Sequence, residues 1–541
     1  MQPCFTIENL SFTYPQGTAP VLEDVSLTVE EGAFLLLCGK TGSGKTTLLR
    51  MLKREMTPHG TLQGRRLYGN TDIAALDGRV SASKIGYIMQ DPDAQLVCDS
   101  VCRELAYGLE NLGTPSDTIR RTVAETASRL GLTNIFHART DRLSSGQKQL
   151  VALAAVLAMG ARVLLLDEPC SMLDPIAAAD FLAVLERLHR EEGITIIMTD
   201  HRLESALPIC SGAVVLDEGK VIFSGPAKAA PAPIAAAGLE AALPAASRIF
   251  LKTGGEGPCP LSVGEGRQYL SRITNGGVLE EQFPTFTSKD STEPVLRVRD
   301  AWFRYHKKDS DVLRGLELSL YSGEVLALLG ACGSGKTTAL SLMAGLLRPY
   351  SGAVKLPREK NPVAMLPANS GDLFLRNTVR EDLELAAAHM GRGPQAVQQT
   401  AAMLGAAHLL KKNPRDLSGG ERQKCALCRL LLTNAPILLL DEPARGLDAP
   451  ARGELSRILR GLSRSGKAVL FVTHDVEFAA DTADRCGLFF DGKVIAQEDA
   501  FSFFTGSTAY TTAARRISAG ITGPAVTVEQ VAALLQGRGN K

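Results

Sequence analysis

The sequence predicts an α/β protein in which one domain type is used twice, and three observations carry this. A glycine-rich stretch, Gly39-Lys40-Thr41-Gly42-Ser43-Gly44-Lys45-Thr46, returns as Gly330-Ala331-Cys332-Gly333-Ser334-Gly335-Lys336-Thr337. An apolar run closed by two acids, Val163-Leu164-Leu165-Leu166-Asp167-Glu168, returns as Ile437 to Leu440 followed by Asp441-Glu442. The spacing is also kept: Tyr14 pairs with Tyr305 and Lys45 with Lys336 at an offset of 291, Ser144 with Ser418 and Asp167 with Asp441 at 274. The second copy is therefore 17 residues shorter (291 − 274) between the glycine-rich stretch and the Ser-Gly motif. A period this long marks a duplicated domain rather than a solenoid.

Each glycine-rich stretch follows a short apolar run, Phe34 to Cys38 or Val325 to Leu329, which reads as a buried parallel strand. Each leads into a predicted helix, Thr46 to Arg54 or Thr337 to Leu347. Strand, turn and helix are the context in which G-x-x-x-x-G-K-T binds phosphate. The glycines let successive backbone N–H groups point into one concavity, and the helix N-terminus adds partial positive charge. Lys45 and Lys336 are expected to reach the β- and γ-phosphates. Thr46 and Thr337 are expected to offer a hydroxyl to Mg²⁺, with Thr47 and Thr338 beside them.

Bulk properties narrow the class. At 541 residues the chain is too long for one core, and its 45% hydrophobic and 22% charged residues are those of an ordinary globular protein. A formal net charge of +1 gives no sign of a nucleic-acid-binding surface. No window reaches the roughly 18 uncharged apolar residues of a membrane span. Val151 to Leu166 comes nearest, but Arg162 interrupts it. Met1-Gln2-Pro3-Cys4 shows no basic segment followed by an apolar one, so no secretory signal is expected. The 11 cysteines have no framework spacing and read as reduced cytosolic thiols. Cys425-x-x-Cys428 lies on an apolar helical run, which predicts two packed core thiols and no zinc site.

In chain order, Phe5 to Phe12 and Ser26 to Val29 are expected as strands of a small antiparallel sheet. Lys84 to Met89 is expected as a further strand. Asp99 to Ile135 carries helical spacing broken at Gly113-Thr114-Pro115 and Gly131, which suggests a small helical subdomain. Ser144 to Met159 and Pro175 to Arg190 read as helices, and Val163 to Leu166 and Ile194 to Thr199 as strands. Val214 to Phe223, turning at Asp217-Glu218-Gly219, closes the copy as a hairpin. The second copy repeats this order. The expected division is 1–224, a linker at 225–292 dense in Ala, Pro and Gly with marginal structure of its own, 293–505, and a tail at 506–541. The tail holds one predicted helix, Val528 to Gln536, with Thr527 as its cap.

The paired acids divide the chemistry. Neighbouring strand residues point to opposite faces, so Asp167 or Asp441 can hold the Mg²⁺ shell while Glu168 or Glu442 poises a water for in-line attack on the γ-phosphate. Taken alone, a strand-end carboxylate would as readily cap the next helix. Its place downstream of a phosphate loop favours the catalytic role.

Both halves resemble ATP-binding-cassette (ABC) ATPase domains. The family's LSGGQ signature stands here as Leu143-Ser144-Ser145-Gly146-Gln147 and Leu417-Ser418-Gly419-Gly420-Glu421. Tyr14 and Tyr305, Gln90, Leu173-Asp174 and Leu447-Asp448, and His201 and His474 match further positions. The resemblance implies two P-loop NTPase domains, each with a RecA-like parallel-sheet core, an antiparallel β subdomain and a helical subdomain. It implies ATP and Mg²⁺ as cofactors and intramolecular pairing of the domains. Site one would combine the Lys45 loop, Gln90, Asp167, Glu168 and His201 with Ser418 and Gly420. Site two would combine the Lys336 loop, Asp441, Glu442 and His474 with Ser144 and Gly146. Tyr14 and Tyr305 would stack on adenine, Gln90 would join the metal shell, and Asp174 and Asp448 would be the D-loop residues.

Two departures stand out. Met365-Leu366-Pro367-Ala368-Asn369 falls where the family has a Gln after a strand, so Ala368 can neither bind Mg²⁺ nor sense the γ-phosphate, and Asn369 is left as a partial substitute. Ser145 replaces the first signature glycine. Unequal sites are expected, with site one faster. Gln90-Asp91-Pro92-Asp93-Ala94-Gln95-Leu96-Val97, then Glu104 and Gly108 to Gly113, resemble the ATPases of energy-coupling-factor (ECF) importers, as does Asp200-His201-Arg202-Leu203-Glu204. That resemblance implies an ATPase at the cytoplasmic face of the membrane. Its partners would be a transmembrane coupling subunit and a separate substrate-binding membrane subunit, with a vitamin or transition-metal ion as cargo. The alternatives are the tandem ATPase of a sugar-type importer and a soluble two-cassette translation factor. The latter should carry a long charged helical arm between its cassettes.

Overall fold

The computed structural model describes residues 3–274 and 293–536, apart from Gln16, Thr18, Cys332 and Lys360. The chain divides into two compact units at Gly266/Arg267.

The first unit opens with β1 (Pro3–Thr13), β2 (Leu22–Glu30), β3 (Phe34–Gly39) and α1 (Lys45–Met51). There follow β4 (Thr61–Tyr68), β5 (Thr71–Asp72), α2 (Gly78–Lys84) and β6 (Ile85–Ile88). The helical part is α3 (Val101–Asn111), α4 (Ser116–Arg129) and α5 (Ser145–Ala158). The core is completed by β7 (Val163–Asp167), α6 (Pro175–Glu192), β8 (Thr195–Thr199), α7 (Leu203–Ala206), β9 (Gly212–Asp217) and β10 (Lys220–Pro226). An antiparallel sheet in the order β2-β1-β4-β5 lies beside a six-stranded sheet in the order β10-β9-β3-β8-β7-β6. The latter is parallel except for β10. Its strands are apolar on both faces because helices cover one and the antiparallel sheet the other. The helical break falls as expected: Gly113 takes φ +69° and Pro115 precedes α4.

Both phosphate-loop helices are shorter than predicted. α1 stops at Met51, where Lys53 turns extended and sends its ammonium to the carbonyls of Ser81 and Ile85. Its counterpart stops at Met343, ahead of Gly345 at φ +76°.

Residues 227–274, expected as marginal linker, instead form α8 (Pro231–Ile234), α9 (Ala245–Lys252) and α10 (Val263–Ile273), the last crossing the division between units. Leu239, Leu243 and Leu261 join the core of the first unit, which is why the stretch folds despite its prolines. Pro231 and Pro233 stand in the first turn of α8 and Pro244 just before α9, where no N–H is needed. The rest of the expected linker, 275–292, lies outside the described residues.

The second unit runs β11 (Leu296–Phe303), β12 (Leu313–Leu320), β13 (Val325–Leu329), α11 (Lys336–Met343), β14 (Ser351–Lys355) and β15 (Val363–Leu366). It continues with α12 (Val379–His389), α13 (Pro394–Met403), α14 (Gly419–Leu432), β16 (Ile437–Asp441) and α15 (Ala449–Arg464). It ends with β17 (Ala468–Thr473), α16 (Val476–Thr482), β18 (Arg485–Phe490), β19 (Lys493–Asp499), α17 (Ala500–Gly506), α18 (Ala513–Ser518) and α19 (Val528–Gln536). Its large sheet, β15-β16-β17-β13-β18-β19, has the connectivity of the first. Thr527 caps α19 as predicted, its hydroxyl accepting from the Gln530 N–H at 3.2 Å. The tail also holds α18, which the sequence reading missed.

The duplication therefore extends beyond the two cassettes. Pro244-Ala245-Ala246-Ser247-Arg248-Ile249 and Thr512-Ala513-Ala514-Arg515-Arg516-Ile517 both open short helices, and Gly257-Pro258 and Gly523-Pro524 both precede the next helix. Ser262 and Glu265 cap α10 as Thr527 and Gln530 cap α19. In each unit a glutamate three residues past the histidine accepts from the first N–H of the appended helix: Glu204 from Ala245 and Glu477 from Ala513, both at 2.7 Å.

Candidate active site

The site of the first unit lies where the ends of β3, β7 and β8 meet the start of α1. Gly39 has no room for a side chain, since a Cβ there would stand 2.4 Å from the Leu216 carbonyl oxygen. Gly44, at φ +99°, turns the chain into α1 in a conformation that favours glycine. Lys45 is buried and donates to the carbonyls of Gly39 and Lys40, both at 2.8 Å, so its ammonium is held under the loop. Lys336 repeats this with Gly330 and Ala331 at 2.7 and 2.8 Å. Thr41, Gly42 and Ser43, and Gly333 and Ser334, complete the loops, with Gly42 and Gly333 at φ +84° and +75°. Cys332 lies outside the described residues. Tyr14 and Tyr305 place their hydroxyls 3.1 and 3.0 Å from Thr47 and Thr338, which ties each ring to its phosphate loop.

The Thr46 hydroxyl donates to Asp167 Oδ1 at 2.9 Å, and Thr337 donates to Asp441 Oδ2 at 2.8 Å. A hydroxyl and a carboxylate at that separation are hard oxygen donors. The set fits Mg²⁺, which takes one or two protein oxygens and fills its octahedron with phosphate and water. Burial pushes the Asp441 carboxyl above its usual range, against the pull of the Thr337 hydrogen bond.

The two acids part company at the end of the strand, by a different device from the one the sequence suggested. β7 ends at Asp167 and β16 at Asp441, and the next residue in each case, Glu168 or Glu442, takes φ +46°. A non-glycine residue in that region stores strain of about 1–3 kcal/mol. The turn aims Glu168 at Gln90 Nε2 (3.0 Å) and His201 Nε2 (2.6 Å). Glu442 meets His474 Nδ1 at 2.9 Å and the Thr473 hydroxyl at 3.2 Å. The two units thus share a carboxylate–histidine pair, and only the first adds a glutamine. A glutamate so oriented can accept a proton from a water while the histidine beside it donates towards phosphate oxygen.

Ala368 sits where Gln90 does. Asn369, expected as a partial substitute, is committed elsewhere: its Oδ1 accepts from the Gly371 N–H at 3.3 Å and caps the next turn, as Asp91 does for Asp93 at 2.9 Å.

The signature residues have a local explanation. Ser144 accepts from the Gln147 N–H at 3.3 Å and Gln147 Oε1 accepts from the Ser144 N–H at 3.0 Å. Ser418 and Glu421 do the same at 3.3 and 2.9 Å. These are reciprocal capping boxes on α5 and α14. Gly146 is required by close packing, since a Cβ there would come within 2.9 Å of Ala177, whereas Gly420 has ordinary clearance. Asp174 and Asp448 cap α6 and α15.

Sequence reasoning missed Tyr87, whose hydroxyl donates to Asp167 Oδ2 at 3.1 Å, and Thr199, whose hydroxyl donates to Oδ1 at 3.0 Å. It also missed Asp200, a fully buried carboxyl beside His201. Burial pushes its pKa up, opposed by the Arg202 N–H bond at 2.7 Å. No motif marks Tyr87 or Thr199, and the resemblance of Asp200-His201-Arg202-Leu203-Glu204 gave Asp200 no role of its own. Cys425 and Cys428 face the core from α14 with their thiols pushed up to about 12 by burial, as packed thiols should be.

The family model described as ABC transporter matches residues 22–171 and 313–445, one segment in each unit. A Bacillus cereus (strain ATCC 10987 / NRS 248) protein described as an ABC transporter ATP-binding protein is 35% identical over 523 residues, covering 94% of both chains. A protein of the same description from Streptomyces coelicolor (strain ATCC BAA-471 / A3(2) / M145) is 34% identical over 548 residues, covering 93% of this chain and 95% of its own. Among solved structures, cbiO1 from Clostridium perfringens, part of the ABC transporter complex cbiONQ, is 32% identical. It covers 43% of this chain and 92% of that one at a TM-score of 0.40. The chain belongs to the ABC transporter family and is an ATP-binding ATPase of that family. In particular it is a tandem member, with two cassettes on one polypeptide.

Proposed function

We propose that this ATPase energises an importer of the ECF type for a vitamin or a transition-metal ion, working at the cytoplasmic face of the membrane. Its partners are a transmembrane coupling subunit and a separate substrate-binding subunit. The observation that carries the reading is the construction of the loop after Gln90. Gln95 accepts from the Met89 N–H at 2.8 Å and donates to the Tyr87 carbonyl at 3.1 Å. Lys148 holds Asp93, and the buried Glu104 accepts from the N–H groups of Val97 and Cys98 at 3.0 and 2.6 Å. The Val97 side chain is left 69% exposed on this rigid ledge, with Tyr107 also exposed. In the second unit Asp382 holds Leu375 and Arg376 in the same way, and Leu375 is 78% exposed. A fixed apolar knob beside the glutamine that contacts Glu168 suits a loop that reports nucleotide state to a partner helix. Among the described residues no helix is long and apolar enough to cross a membrane.

The residue roles follow from the same reading. Each phosphate loop binds ATP, and Thr46 with Asp167 and Thr337 with Asp441 hold Mg²⁺. Glu168 and Glu442 take the proton of the attacking water, Gln90 joins the metal shell, and His201 and His474 contact the γ-phosphate. Ser144 and Gly146, and Ser418 and Gly420, each stand at a capped helix start able to donate N–H groups to phosphate. Affinity purification of the full chain from membranes tests the proposal: a polytopic membrane protein should co-purify, and Val97→Asp with Leu375→Asp should release it. Recovery with ribosomes, or an unchanged membrane partner in the double variant, would count against it.

A further inference from the structure

We propose that Tyr87 is a positioning residue for the metal carboxylate of the first cassette, and that the second cassette lacks this device. Tyr87 lies on β6, is 7% exposed, and donates its hydroxyl hydrogen bond to Asp167 Oδ2 at 3.1 Å. The Arg50 guanidinium of α1 lies close enough to act on the same phenol electrostatically. An ionised carboxylate only accepts, so the phenol proton is directed to Asp167 Oδ2. Asp167 is then held by three hydroxyls on three elements: Thr46 and Thr199 at Oδ1 (2.9 and 3.0 Å) and Tyr87 at Oδ2.

The second cassette is built differently at each of these points. Tyr87 pairs with Leu165 across β6 and β7, and the residue at that register on β15 is Met365, paired with Leu439. The residue at the Arg50 position is Ser341, whose hydroxyl turns back to the Thr337 carbonyl at 2.9 Å. Thr473, at the Thr199 position, sends its hydroxyl to Glu442 instead. Thr337 alone holds Asp441 through a hydroxyl among the described residues.

A carboxylate fixed by three donors has little orientational freedom left to lose when it joins a metal shell. One fixed by a single donor must be ordered on binding. Tyr87 therefore raises the affinity of the first site for the metal–nucleotide pair without touching nucleotide or metal itself. The inference rests on Mg²⁺ being held by Thr46 and Asp167.

The test uses the full chain in a Lys336→Ala background, so that nucleotide binding reports on the first site. Binding of a fluorescent ATP analogue is measured in EDTA and across a Mg²⁺ titration, alongside the melting temperature. Tyr87→Phe keeps the ring and removes the donor. The expected result is unchanged affinity in EDTA, an unchanged melting temperature, and a Mg²⁺ midpoint shifted about tenfold upward, the scale of one hydrogen bond to a charged group. The reciprocal variant, Met365→Tyr with Ser341→Arg, examined in a Lys45→Ala background, should lower the Mg²⁺ midpoint of the second site. A Tyr87→Phe midpoint equal to that of the parent, or an equal loss of affinity in EDTA, overturns the proposal. A parent protein whose nucleotide binding ignores Mg²⁺ overturns the metal assignment as well, which separates the two failures.

Discussion

The two cassettes share a sheet order, a phosphate loop, a strained glutamate and a histidine, yet they surround the reacting atoms differently. In the first, Gln90, Glu168 and His201 form one hydrogen-bonded chain, and Asp167 is held from three sides. In the second, Ala368 removes the glutamine, Asn369 is spent on a turn, and Met365 and Ser341 replace the tyrosine and arginine. The order of the large sheet is kept in both while the polar groups that tune the metal and the water differ. Fold and turnover therefore answer to different residues, and a cassette can lose polar contacts at its site without losing its core.

The sharpest way to break this comparison is at the glutamates. Glu168→Gln should lower steady-state ATP hydrolysis by about 10²-fold or more, the scale of a lost general base. Glu442→Gln should lower it only a few-fold. Equal losses in a phosphate-release assay would remove the asymmetry. A smaller effect tests its cause: in a Glu168→Gln background, Ala368→Gln should raise residual turnover about threefold to tenfold, as a positioned amide again meets the glutamate. No change would mean that the glutamine is not what separates the sites.

Two further predictions concern what the cassettes have in common. Glu204→Ala and Glu477→Ala each remove the acceptor of an appended helix, at a cost of about 1 kcal/mol. Hydrogen exchange should quicken at residues 245–252 and 513–518 respectively, and to a similar degree. A response in one unit alone would show that the appendages are not equivalent. The smallest effect is expected at the thiols. Burial holds Cys38 in the first core and Cys425 and Cys428 in the second at about 12. At pH 8 the thiolate fraction is then about 10⁻⁴, and native protein should leave all three unalkylated by iodoacetamide in a mass-spectrometric map.

The sequence alone determined a great deal here: both phosphate loops, both acid-ended strands, the helical breaks at Gly113 and Pro115, the hairpins and the cap at Thr527. Each of these is written in residues a few positions apart, where backbone geometry and side-chain period fix the outcome. Tertiary structure decided the rest. Residues 227–274 fold because Leu239, Leu243 and Leu261 find a core that the stretch does not itself contain. Tyr87 matters because strand pairing sets its hydroxyl against a carboxylate 80 positions away, and Asn369 is unavailable because the local turn claims it first. Spacing along the chain can announce a strand or a loop, but a hydrogen bond between distant residues exists only once the sheet has set its register.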